Sequence, residues 1–264
     1  MRSRYRVRLA GVHLDTLDSN LMILDVAYSG LQHTRDKHQI SDLDGYDLGD
    51  DQNEQQSVTV TFELHIYDTK KRNAACQKVN EWAQAGGTLY TNDREGQYLT
   101  VYCEKYAAIN ARDWTKPLQV VLTTYRNPYW KSNTAIEKEL TGKLKEGTFK
   151  LDGNAKAGAP MSVTVTPATA TLKKIEITVG GTVLHLDGLS VEKGTNLVID
   201  YVDERFLRVR AAGKSVMTKL QPKTIDGKKV TSDRLIAACG ADTKIAINAD
   251  QKVTAVFTAR GRWV

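Results

Sequence analysis

The chain has 264 residues, 41% of them hydrophobic, which is enough for packed cores and is the length of two ordinary domains. Its net charge of +6 is unevenly placed: residues 1–130 carry 15 Lys and Arg against 17 Asp and Glu, and residues 131–264 carry 22 against 14. No Lys/Arg block of nucleic-acid type occurs, the charged start is followed by no long apolar run, and no stretch is long enough to span a bilayer; the expectation is a cytoplasm-made protein without specific nucleic-acid binding or a membrane partner.

In chain order, Arg4 to Leu9 reads as a strand with Arg4, Arg6 and Arg8 on one face and Tyr5, Val7 and Leu9 on the other. Leu21 to Tyr28 reads as a second strand. Gly30 to Gln56 differs: it is polar, Asp-rich and nearly free of large aliphatics, which predicts an extended arm or hairpin with a functional reason to exist. Asp42, Asp44, Tyr46, Asp47, Asp50 and Asp51 fall within it. A calcium loop is weighed for Asp42-Leu43-Asp44-Gly45 and set aside, because the ligand spacing does not match an EF-hand.

Ser57 to Tyr67 is the cleanest strand pattern, with Val58, Val60, Phe62, Leu64 and Ile66 on one face. With the arm beside it, this strand is expected to offer an edge to a neighbouring sheet. Asp68-Thr69 offers a helix cap, and Ala75, Val79, Trp82 and Ala83 predict one face of a helix over 70–85 that Gly86-Gly87 ends. Strands follow at Leu89-Tyr90 and Gln97 to Ala107, joined by the turn Asn92 to Gly96. Leu118 to Trp130 is a β-branched strand closing on a turn. There Tyr125, Asn127, Pro128, Tyr129 and Trp130 are the expected half-buried seam between two domains.

Residues 131–160, broken by Gly142, Gly147, Gly153 and Gly158, read as a connector. Beyond them, short strands recur at Met161–Thr166, Lys174–Val179, Val183–Leu186, Asn196–Tyr201, Arg205–Ala211, Lys244–Asn248 and Lys252–Ala259, a β-sandwich pattern. The whole is mainly β: an N-terminal α+β domain over 1–130 with one helix, then a sandwich over 161–264.

Catalytic signatures are missing. There is no P-loop, G-x-G-x-x-G, H-E-x-x-H or G-x-S-x-G. Cys76, Cys103 and Cys239 are too scattered for zinc or a disulfide framework, and His33 and His38 lack partners at zinc spacing. No cofactor, no metal and no enzymatic activity are expected.

The order of these parts resembles the distal tail proteins of long-tailed (siphovirus-type) bacteriophages and prophages. The resemblance is carried by Tyr125 to Trp130, by Ser190 to Tyr201 and by Arg260 to Trp263. It implies a structural protein of the virion tail tip, assembled as a six-fold ring that joins the tail tube protein to the baseplate hub or tail-associated protein. It implies further that the arm reaches a neighbouring copy, which makes Asp42, Asp44, Tyr46, Asp47, Asp50 and Asp51 the candidate contact residues. The second domain would be galectin-like and could meet a receptor-binding protein or a host glycan. A closed ring of this kind uses two different complementary faces of one subunit. The alternative is a carbohydrate-binding sandwich, for which the second domain offers Phe149, Tyr201, Phe206, Phe257 and Trp263.

Overall fold

The structure, a computed structural model, describes residues 4–34, 37–39, 46–48, 53–109, 116–124, 127–202, 204, 206–221, 223–225, 228–230 and 234–264, with side chains described outside 33–54 and 223–230. Residues Met1–Lys131 group as one compact unit, together with Val264, and Ser132–Trp263 group as a second.

In the first unit, seven antiparallel strands run in the order Val12–His13, Val7–Leu9, Gly87–Thr91, Gln97–Lys105, Leu118–Thr124, Ser57–Leu64, Leu21–Tyr28. Ser57–Leu64 alternates strictly, burying Val58, Val60, Phe62 and Leu64 on one face. A one-residue slip would turn all four to the wet side, so its register is strongly specified. It is not an edge, contrary to the sequence expectation. Leu118–Thr124 pairs on one side of it and Leu21–Tyr28 on the other. The outer position belongs to Leu21–Tyr28, where the register shifts between Ile23 and Asp25. A bulge and a charged residue are common devices for protecting an outer strand.

The one α-helix among the described residues, Thr69–Gln84, packs on this sheet. The Lys71 N–H donates to Asp68 Oδ1 at 3.0 Å, a cap worth about 1 kcal/mol. The buried stripe is Ala75, Cys76, Val79, Trp82 and Ala83, and it includes Arg72. Trp82 anchors the far end: its Nε1 donates to Val12 O at 3.0 Å. Gly86 follows with φ +57, and a Cβ there would stand 3.1 Å from Val101 O, so the chain leaves the helix at a residue without one.

In the second unit, the 18-residue strand Asp242–Ala259 is shared by the rest. Ile136–Lys150 pairs along its length on one side. On the other side its first half meets Leu172–Val179 and its second half meets Ser162–Pro167. The sheet continues outward through Thr182–Val191 from the first of these and through Leu197–Val202 and Phe206–Ala211 from the second. Inward residues form one cluster that includes Phe149, Met161, Leu172, Ile199, Ile247 and Phe257. The chain is thus mainly β with a single helix among its described residues.

Two expectations are corrected here. Residues 131–160 are not a loose connector, because Ile136–Lys150 is a 15-residue strand with Leu140 and Phe149 turned inward. Its glycines mark close approaches rather than breaks. A Cβ on Gly147 would lie 2.9 Å from Leu140 Cδ2, and one on Gly153, at φ +129, would enter the backbone of Arg262. The strands expected at Lys244–Asn248 and Lys252–Ala259 are one. Inward-facing Gln251 interrupts the apolar run, yet its Oε1 accepts from the Ala170 N–H and, at 2.9 Å, from Thr169 Oγ1. A buried polar side chain with partners does not end a strand.

Candidate functional site

The site begins where the arm leaves the sheet. Leu21–Tyr28 and Ser57–Leu64 are adjacent antiparallel strands, and the arm is the chain between them. Ser29 N–H donates to Ser57 O at 2.9 Å, and Ser57 N–H donates back to Ser29 Oγ at 2.8 Å. Gln56 is buried; its N–H donates to Thr124 Oγ1 at 3.0 Å and its carbonyl accepts from Thr124 N–H at 2.9 Å. Beyond this root the two legs stay paired. Gln32–Thr34 runs antiparallel to Asn53–Gln55, and Lys37–Gln39 to Tyr46–Leu48. The described backbone of the arm is therefore a hairpin that prolongs two strands of the sheet.

Tyr28 and the aromatic turn after Leu118–Thr124 meet at this root. Tyr28 and Trp130 stack edge to face at 5.6 Å, with planes 74° apart. The Arg94 guanidinium lies 5.0 Å from the Tyr28 ring and 4.8 Å from the Trp130 ring, within cation–π range of both. The Tyr28 hydroxyl donates to Asp93 Oδ1 at 2.6 Å and lies 2.9 Å from Thr91 Oγ1. Burial first, and the Asp93 carboxylate second, push the Tyr28 hydroxyl far above the ordinary tyrosine value, so it stays protonated. A second pairing extends the belt, with Arg8 placed 4.2 Å over the Tyr90 ring.

Of the residues expected at a seam, Pro128, Tyr129 and Trp130 are buried rather than half-buried. Asn127 Oδ1 accepts from the Tyr129 N–H at 3.3 Å and closes the turn. Trp130 Nε1 is buried without a hydrogen-bond partner among the described residues. Tyr125 lies outside the described residues, as do Asp42, Asp44, Asp50 and Asp51 of the arm; Tyr46 and Asp47 fall on a paired strand whose side chains are not described. Tyr28, Asp93 and Arg94 were missed from sequence. A detectable signal existed: Tyr28 is the last residue of a half-buried strand, directly before the polar stretch.

In the second unit Asp200, from the segment Ser190–Tyr201, and Arg262, from Arg260–Trp263, are paired. Asp200 accepts from Arg208 through both oxygens, at 2.7 Å each, and from Arg210 Nη2 at 2.8 Å. Asp200 and Arg208 are direct cross-strand partners. The Arg208 hydrogen bonds hold the Asp200 carboxyl below its usual range. Arg262 Nη1 donates to Gly158 O at 3.1 Å, and its Nη2 pairs with Glu204. Burial raises all three cysteine thiols above their ordinary value, Cys76, Cys103 and Cys239 alike. Among the described residues no group of three or more His, Cys, Asp or Glu is placed to hold a metal ion, and no helix is long and apolar enough to cross a membrane. Among the described residues, the geometry holds strands and the root of the arm in place.

No protein-family model and no curated protein matches the sequence. Among solved structures, the chain is similar to the Dit protein of phage SPP1, described as a paradigm of the hub adsorption apparatus in phages that infect Gram-positive bacteria. The TM-score is 0.64 at 13% identity, over 97% of this chain and 98% of that one. It is also similar to chains of the phage P2 baseplate in its activated conformation with calcium and with strontium, both at 9% identity and 97% coverage of each chain, with TM-scores of 0.39 and 0.37. The structural neighbours are phage hub and baseplate proteins, and the mainly β, one-helix fold is the one this chain shares with SPP1 Dit over nearly its whole length.

Proposed function

We propose that this chain is a distal tail protein: a structural component of a phage tail tip that closes into a ring of six copies and joins the tail tube to the baseplate hub. The observation that carries this reading is the arm. A fold shared with SPP1 Dit over 97% of the chain sends out, from two adjacent strands, a hairpin with little apolar surface of its own. A hairpin of this kind is marginal alone and gains most by pairing with another chain. Its charge fits that use. Residues 30–56 hold 7 Asp and Glu against 2 Lys and Arg, while the rest of residues 1–130 hold 10 against 13. An acidic arm meeting a basic body is complementary head to tail, the relation a closed ring repeats at every contact. Asp42, Asp44, Tyr46, Asp47, Asp50 and Asp51 are the proposed contacts, and Tyr125 to Trp130 the proposed junction of the two domains.

The role is structural, without catalysis. Tail tube protein, hub and receptor-binding components are the proposed partners, in the virion. The second domain, galectin-like by the same resemblance, lies outside the ring contact in this reading. Glycan stacking on it is less favoured. Of its five aromatics, Phe149 and Phe257 are buried, Tyr201 and Trp263 are partly covered, and Phe206 alone is openly exposed, at 66%. Sugar platforms need more than one open ring.

The test is the mass of the purified protein in solution with negative-stain imaging, repeated after deletion of residues 41–55. A ring of six that falls to monomers on deletion is expected. An unchanged oligomer after deletion, or a monomer throughout at high concentration, overturns the arm's role.

A further inference from the structure

The first unit holds a second feature that the ring reading does not use. Arg72 stands one turn into the helix on its buried face and is only 4% exposed. Its Nε and Nη1 are buried with no hydrogen-bond partner among the described residues. The side chain lines a cavity of about 250 Å³ whose other polar walls are Glu63, His65, Tyr67 and Lys116. Glu63 is the one carboxylate there among the described residues, and it faces His65 Nε2 at 3.4 Å.

A guanidinium stays charged at every accessible pH and cannot relieve its burial by losing a proton. Left unpaired out of water it costs several kcal/mol. The cavity is roomy and basic, with Arg72 and Lys116 in its lining, and a buried guanidinium with hydrogen-bonding capacity to spare is the group that an oxygen of a carboxylate, sulfate or phosphate completes. We propose that this cavity is an oxyanion socket, with Arg72 as the gripping residue and Lys116 as the second cation. Two sources carry that chemistry: a free anion, or an acidic side chain from the arm of a second copy, whose residues 41–55 hold six Asp and Glu and no Lys or Arg. The socket rests on its own residues; only the second source depends on the ring reading.

The experiment is thermal unfolding of the full chain in acetate and in sulfate against chloride at matched ionic strength, for the native protein and for Arg72→Met. A ligand that binds only the folded state raises the midpoint with its concentration. The native midpoint is expected to climb with either oxyanion, and Arg72→Met to weaken that response roughly 10–100-fold, the worth of a charge-assisted hydrogen bond. Parallel curves overturn the socket, since sulfate stabilises any fold by exclusion. Should Arg72→Met fail to fold, crystals of the native protein soaked in selenate decide. An anomalous peak, or an acidic side chain of a neighbouring copy, on the guanidinium supports the socket; water or a carboxylate of the same chain there overturns it. A synthetic peptide of residues 41–55, compared with its all-amide counterpart, separates the sources. Response to the acidic peptide at lower concentration than acetate identifies the second copy, and response to free ions alone identifies the free anion. A chain that never forms rings but keeps its oxyanion response sinks the ring and leaves the socket standing.

Discussion

The two units solve their polar groups differently. In the second, charged side chains close into ion pairs: Asp200 with Arg208 and Arg210, Arg262 with Glu204, and Lys244 with Glu146. In the first, buried polar atoms are left open. Eight buried side-chain nitrogens and oxygens lack a partner among the described residues, and six of them, on Asp15, Gln56, Arg72, Gln97 and Trp130, belong to the first unit. Native interiors tolerate few such groups, and a concentration of them in one region marks a place completed by something else. The second unit keeps two such atoms, on His185 and Arg210; in the reading proposed above, the larger share in the arm-bearing unit is what assembly would fill.

The largest expected effect tests whether the sandwich stands by itself. Phe257 is fully buried near the end of the long shared strand. Phe257→Ala is expected to destabilise the second unit by about 3–5 kcal/mol, the usual cost of such a cavity. Urea unfolding followed by far-UV circular dichroism should show two steps, of which one moves and the other stays. Two steps that move together would mean a single cooperative interior, and the contrast drawn above would fail.

Much of this was legible because one face of an element was buried. Ser57–Leu64 declared itself by alternation, and the helix by its Asp68 cap, its apolar stripe and the glycines after it. The element bounds moved by only a few residues, as fraying and hydrogen-bond definitions allow. Ile136–Lys150 was not legible. Nine of its fifteen positions carry Lys, Glu or Thr facing water, and only Leu140 and Phe149 turn fully inward, so its strand character comes from pairing with Asp242–Ala259 rather than from its own pattern. Arg72 was overlooked for the opposite reason. It falls in phase with Cys76, Val79 and Ala83, on the buried stripe, but an arginine on a helix is read as solvated by default. The meeting of Tyr28 with Trp130 joins residues a hundred positions apart, and no local pattern reports it.

That meeting supplies the second, smaller prediction. Tyr28→Phe keeps the ring against Trp130 and removes the hydroxyl that bonds Asp93. The loss is expected to be about 1–2 kcal/mol in the first unit alone, since the buried Thr91 hydroxyl loses a partner while the exposed Asp93 turns to water. Hydrogen exchange of the Ser29 and Ser57 amides should quicken while that of Val60 and Val120 does not. Equal protection in both proteins would show that the backbone ladder alone fixes the arm's root, and the aromatic cluster would lose its assigned role.

The smallest effect returns to the second unit and concerns acid. Asp200 has its folded value depressed by Arg208, so the pair adds stability that is fully present above the ordinary aspartate range. That contribution is lost as the pH falls through the depressed folded value. Arg208 remains charged throughout and sits near solvent, so the contribution is modest and weakens with salt. Asp200→Asn should therefore lower the urea midpoint of the sandwich slightly at pH 7 and leave it nearly unchanged at pH 2, closing the gap that the native protein shows between the two. The first unit, whose root holds a hydroxyl that stays neutral over that interval, should show no change on this substitution at either pH. If Asp200→Asn instead shifts the first unit, or weakens the ring at neutral pH, then the paired charges of the sandwich are not an internal matter, and the second unit also contributes to assembly.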